Sequence, residues 1–229
     1  MTINLSSCLI AIPIIQGSCP TPPGADEVVL CHSDGLPDDS TCKKPKAIMK
    51  YTNSTAGVMI ATRPCGYVVG VREMFSAESC TQWLLFLLEM TQNMRAVTAI
   101  TYDRACELHP FVLGVYSAVV HSGRCSKDEL DSLKYLATGA KYRIDSFHAK
   151  THKPGKCQPP IHADGSVNRH SAYHPDSPGV EFARGINDSM GESVNRYYSL
   201  FNHAVANMGR ERFNVFIIVI THVRNNRIT

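Results

Sequence analysis

Three short β-prone runs stand ahead of the first amphipathic helix, so the chain cannot be an all-helical protein. Residues 27–33 (EVVLCHS) are the first run, and they end at Asp34-Gly35, a turn signal. The next two, 57–62 and 67–72, are split by Pro64-Cys65-Gly66, which predicts an antiparallel hairpin. Residues 77–91 then place Trp83, Leu84, Leu87, Leu88 and Met90 at helical spacing. Ahead of all this, residues 1–25 combine an apolar patch with a loop at Pro20, Pro22 and Pro23, where three prolines in four residues forbid both helix and ladder. We treat 1–25 as a separate N-terminal segment and 26–229 as the core.

After the first helix the two periods alternate. Residues 96–102 (AVTAITY) are a strand ending at Asp103, and 105–120 show a helical face through Leu108, Phe111, Val112, Val115, Tyr116 and Val119 despite Pro110 and Gly114. Ser126 and Glu129 form a capping box for a helix over 127–137, closed by Gly139. Residues 141–146 predict another strand. A polar, His- and Pro-rich loop at about 148–185 follows, then a long helical stripe from Met190 through Val194, Tyr198, Phe201 and Val205 to Met208. A final apolar helix spans 213–223. Three antiparallel strands followed by alternating helix and strand predict a mixed α/β sheet, in the element order of the ribonuclease H-like fold.

Composition narrows the classes of function. With 229 residues and 44% hydrophobic residues, the chain is long and apolar enough for one sizeable core. A net charge of +3 is too small to mark a strongly basic nucleic-acid surface. No run approaches the roughly 18 apolar residues of a membrane span, so no membrane partner is expected. Nine cysteines, an odd number without a CxxC pair, read as mostly reduced thiols with one or two available as metal ligands. The motifs GxSxG, GxGxxG and the P-loop are absent from the sequence.

Polar residues at the ends of sheet strands are the first place to look for chemistry. Asp34 ends the first strand and Asp103 the fourth; if those strands are neighbours, both carboxylates reach one crevice. Like charges so placed are commonly retained with a divalent cation between them. Glu192, early in the long helix, is the candidate third acid for a site holding Mg²⁺ or Mn²⁺, although at about 100° per residue it lies nearly opposite the apolar stripe. The competing reading makes Asp34 a turn residue and Asp103 a helix cap. A second constellation is His148, His152 and Cys157. Histidines at i and i+4 share a helix face, and the cysteine could complete a Zn²⁺ site. Cys106 is one option for a fourth ligand; His162, His170 and His174 are others. Surface histidines in a polar loop are the competing reading.

Three ordered motifs add a family resemblance. Tyr102-Asp103-Arg104-Ala105-Cys106 resembles the YDxAC motif of the Kyakuja–Dileera–Zisupton (KDZ) transposases. Asp145-Ser146-Phe147-His148 with His152 and Cys157 is similar to that family's D-x-F-H-x-x-x-H…C block, and Asn187 through Glu192 to Asn195 to its N-x-x-x-x-E-x-x-N block. The resemblance also takes in the hairpin, Glu78, and Asn225 near the end, covering roughly residues 25–226. It implies a DDE-type core on the ribonuclease H-like fold that cleaves and transfers DNA strands with Mg²⁺ or Mn²⁺. Asp103 and Glu192 are carried over as the second and third acids. Asp34 stands as the first, although the family's DGNF reads Asp34-Gly35-Leu36-Pro37 here. DNA as partner, a nuclear location and a homo-oligomer are also implied. Family members are longer, so an inactive or truncated copy stays open. So does a non-catalytic DNA- or protein-binding module stabilised by zinc.

Overall fold

The computed structural model describes residues 27–32, 57–75, 78–93, 97–123, 125–153, 155–178, 187, 189–205 and 208–228. Five strands form one mixed sheet in the order β3-β2-β1-β4-β5. They are β1 (Glu27–His32), β2 (Gly57–Thr62), β3 (Val68–Met74), β4 (Ala99–Thr101) and β5 (Lys141–Arg143). The expected hairpin pairs β2 with β3 antiparallel, and β1 runs antiparallel to β2. β1, β4 and β5 run parallel with β4 in the middle, Val29 beside Thr101 and Thr101 beside Arg143. Their C-terminal ends therefore lie along one sheet edge.

The period-2 pattern of β2 divides two cores. Met59 and Ala61 join Trp83, Leu87 and Leu108 on one face, while Val58 and Ile60 join Val194, Tyr198, Phe213 and Ile217 on the other. A register shift between Ala61 and Thr62 lets Val68 and Val71 share the second face although they are an odd number of positions apart, the signature of a bulge in β3. The first face is covered by α1 (Cys80–Asn93), α2 (Ala105–Ser122) and α3 (Lys127–Lys134); the second by α4 (Ser189–Ser199) and α6 (Arg210–Asn225), with the short α5 (Asn202–Val205) between those two. Of these, α4 lies against the central strand β1 and α6 against β3.

Local chemistry accounts for the helix ends. The capping box is formed: the Glu129 amide donates to Ser126 Oγ, and Glu129 Oε2 accepts from the Ser126 amide at 3.1 Å. α3 then widens into a π-type turn over Tyr135–Gly139 rather than continuing as α-helix. Gly123, at φ 60°, closes α2 in the left-handed region. The helical stripe from Met190 to Met208 is not one helix. Ser199 Oγ donates to the Arg196 carbonyl at 2.8 Å, and the amides of Leu200 and Phe201 turn back to Tyr197 and Tyr198, so α4 stops at Ser199.

At the far end, α6 clamps the β2–β3 hairpin. Asn225 Oδ1 accepts from the Val68 amide at 2.9 Å and its Nδ2 donates to the Val68 carbonyl at 2.9 Å. Arg224 donates to the Gly66 carbonyl. Gly66 has φ 84°, a left-handed conformation that side chains rarely adopt, so the turn after Pro64 favours glycine, and the Met190 side chain packs against it. No helix among the described residues is long and apolar enough to cross a membrane.

Candidate functional site: an acid edge and a buried thiol–imidazole group

Each parallel strand is followed, two residues on, by an aspartate: Asp34 after β1, Asp103 after β4 and Asp145 after β5. Asp34 lies outside the described residues. Asp103 and Asp145 leave strands that are paired in register at their last residues, so both follow the C-terminal edge where α/β sheets carry their ligands. Asp103 precedes α2, whose N-cap residue, Arg104, makes no side-chain cap bond. Arg104 instead pairs with Glu107 one turn on.

Asp145 is bonded to His148 twice. Its Oδ1 accepts from the His148 amide at 2.8 Å, and its Oδ2 accepts from the ring Nδ1–H at 2.8 Å. That bond is the main reason the imidazole's pKa stands above its ordinary value; burial opposes it, and the negative charges of Asp145, Asp103 and Glu192 add to it. Burial alone would raise the Asp145 carboxyl, but the bonds from His148 outweigh it and hold the acid below its usual range. His148 therefore stands within the electrostatic reach of Asp103 and Glu192 together. Glu192 is exposed, in keeping with its position opposite the apolar stripe, and the packing of α4 on β1 brings its helix to this part of the sheet.

Tyr102, the buried neighbour of Asp103, is anchored from the other side. Its hydroxyl and the Trp83 indole both donate to Glu78 Oε1, the indole at 2.7 Å. Burial, then the charges of Asp103 and Glu78, push the phenol well above its usual pKa, so it remains a neutral donor. Glu78 thus orients the residue that carries Asp103 into place, a role that its spacing in the sequence does not signal.

A second group lies deeper. Cys106, His152 and Cys157 are all buried, and their ligand atoms lie within 4.8 Å of one another, so they could hold a metal ion such as zinc. Cys106 Sγ is 3.7 Å from His152 Nδ1. The Cys106 thiol is pushed far above its usual pKa, first by a hydrogen bond with Cys157 and then by burial.

The membership differs from the expected trio in one place: His148 is turned to Asp145, and Cys106 stands with His152 and Cys157. The i, i+4 argument needs a helix, but this segment holds only a three-residue 3₁₀ turn, Ala149–Thr151, after which His152 is extended. Two histidines four apart then face different ways. Of the other expected donors, His174 pairs with Asp176, while His162 and His170 lie outside the group.

The polar region after His148 is built onto the thiol group. Ile144 donates to the Tyr173 carbonyl at 2.9 Å, and the amides of Ala172 and Tyr173 both donate to the Lys156 carbonyl, at 2.9 and 3.0 Å. Lys156 Nζ in turn donates to the Cys106 carbonyl at 2.5 Å. That carbonyl is open because the residue four along the helix is Pro110, which has no N–H to offer it. The proline that breaks the helical pattern thus makes the contact that joins the Cys157 turn to α2. His109, stacked on Tyr142, accepts from the Tyr173 hydroxyl at 3.1 Å on Nδ1 and donates from Nε2 to the Ala137 carbonyl at 3.1 Å. None of Cys65, Cys80, Cys106, Cys125 and Cys157 is in a disulfide.

No protein-family model matches the chain, and no curated protein or solved structure matches it either.

Proposed function

We propose that the chain is a DDE-type core of the KDZ transposase kind on a ribonuclease H-like sheet, acting on DNA phosphodiester bonds. Support comes from the order and direction of the strands, three antiparallel and then two added in parallel to β1. The observation that carries the reading is that Asp103 follows the end of β4 while Glu192 sits on α4, the helix packed on the neighbouring strand β1, so acids far apart in the chain are carried by adjacent strands and the helix over them. Acids placed by different elements around one point are what metal-dependent phosphodiester chemistry uses.

Asp103, Glu192 and, by resemblance, Asp34 would hold Mg²⁺ or Mn²⁺, and their carboxylate oxygens suit such hard cations. When bound, these ions supply activation of the attacking oxygen and stabilisation of the leaving one. The chain's own part is positional. Glu78 and Tyr102 set Asp103, the packing of α4 on β1 sets Glu192, and the bond from Asp145 favours the charged form of His148 beside the acids. A protonated imidazole there can donate to a phosphate oxygen and limits the repulsion between carboxylates. DNA as partner, nuclear location and self-association belong to the same proposal.

The test is cleavage or strand transfer of DNA by the full chain with Mn²⁺, against its Asp103→Ala form. Metal-dependent activity lost in the variant supports the reading; equal activity in both, or none in the parent chain, overturns it. A second reading keeps the scaffold as a non-catalytic binding module stabilised by zinc. The buried thiol–imidazole group favours it, and zinc content without Mg²⁺- or Mn²⁺-stimulated cleavage would decide for it.

A further inference from the structure

The structure assigns a Zn²⁺ centre to Cys106, His152 and Cys157, with His148 excluded from it, and this assignment stands apart from the nucleic-acid chemistry proposed above. Tetrahedral zinc with Zn–S of about 2.3 Å and Zn–N of about 2.0–2.1 Å places a sulfur and a nitrogen ligand about 3.6 Å apart, and two sulfurs about 3.8 Å apart. The Cys106 Sγ to His152 Nδ1 separation is 3.7 Å, and no pair in the group exceeds 4.8 Å. The ligand atoms are thus near coordination spacing with no ordered segment moved.

Charge points the same way. The group is fully buried, where an uncompensated ion is costly. Two thiolates and a neutral imidazole around a divalent cation sum to zero, so the loaded site is neutral. Two sulfurs and an imidazole nitrogen also match zinc among the common divalent ions and disfavour Mg²⁺ or Ca²⁺, which take oxygen. Among the described residues no fourth His, Cys, Asp or Glu joins the three. With three protein ligands, the fourth position of a tetrahedral zinc falls to a water.

The backbones carrying the ligands are tied as an outer shell would require. Lys156 holds the Cys106 carbonyl at 2.5 Å, Gln158 donates to the His152 carbonyl, and the 172–173 amides hold the turn that ends at Cys157. The Lys156 tie joins the start of α2 to a segment 50 residues away. Zinc would complete that junction.

The experiment is metal analysis of the full chain, followed by exchange of Co²⁺ for Zn²⁺ and titration of the apo protein. We expect one zinc per chain, a cobalt spectrum with thiolate charge-transfer bands and the visible bands of tetrahedral geometry, and protection of two cysteines from alkylation until a chelator is added. Cys157→Ser should weaken zinc binding by more than the roughly 10–100-fold that loss of an outer-shell partner costs, and Lys156→Met by about that outer-shell amount. His148→Asn and Asp103→Asn should each keep the zinc. No stoichiometric zinc in the parent chain, a cobalt spectrum without thiolate bands, or equal loss in His148→Asn and Cys157→Ser would overturn the assignment. Cobalt titration of the parent chain needs no variant, so a misfolded mutant does not blunt the test. None of these readouts uses DNA.

Discussion

Two polar groups grow from the same pair of segments and differ in almost every physical respect. Asp103 and Cys106 lie one turn apart at the start of α2; Asp145 and His148 lead into His152 and Cys157. The acid group is partly open, with Glu192 exposed, and is made of carboxylates near one imidazole whose pKa they raise. The thiol group is buried, and its potential ligand atoms are two sulfurs and an imidazole nitrogen. A soft, retained cation suits the second; a hard cation at the first belongs to the function proposed above. One short stretch of chain therefore supplies both an acid at the sheet edge and a buried thiol, because a three-residue offset moves a side chain from that edge into the core.

The sharpest way to break this comparison is to remove one group and ask whether the other notices. Asp103→Ala should lower Mn²⁺-dependent DNA cleavage by at least about 10²–10³-fold, the scale of losing one preorganised charge-stabilising group, while zinc content stays unchanged. If zinc is lost as well, the two groups are one site. Next in size is zinc removal. Zinc at a hundred times its Kd contributes about 2.7 kcal/mol, so chelation should lower Tm by about 5–10 °C in a chain of this size, as read by calorimetry. An unchanged Tm would leave the thiol group without an anchoring role.

Away from both groups, Asn225→Ala should cost about 1–3 kcal/mol by denaturant unfolding, because the Val68 amide and carbonyl lose their buried partner. It should leave zinc content intact, which separates general destabilisation from loss of the centre. The smallest effect is a shift in titration. The raised pKa of His148 means that its stabilising contribution is complete below the ordinary value of 6.5 and is lost as pH rises through the higher folded value. Asp145→Asn should bring the His148 titration, followed by NMR, back toward or below 6.5 and remove that segment of the stability profile; an unmoved titration would mean that Asp145 does not set the imidazole's charge.

How much was legible beforehand depends on the range of the interaction. The strands of the hairpin, α1 and the Ser126 capping box follow from local patterns, and Asp103 stood out as an acid at a strand end. Asp145, equally placed after β5, did not, because the expected strand at 141–146 ran through it, whereas β5 stops at Arg143. The His148–His152 spacing misled because it presumes a helix where only one 3₁₀ turn forms. Cys106 was one of four options for a fourth ligand; only tertiary folding, through the carbonyl that Pro110 leaves open to Lys156, brings it to Cys157. The break after Ser199 was hidden by a periodic stripe that continues across it. Asp34, the expected first acid, lies outside the described residues.

The central claim is that two chemically distinct cation sites lie side by side. Anomalous diffraction from crystals of the zinc-loaded chain soaked in Mn²⁺, collected on either side of each metal edge, tests it directly. The account predicts a zinc peak among Cys106, His152 and Cys157 and a separate manganese peak in contact with Asp103 and Glu192. Manganese absent from those carboxylates, or a zinc peak ligated by His148, would contradict it.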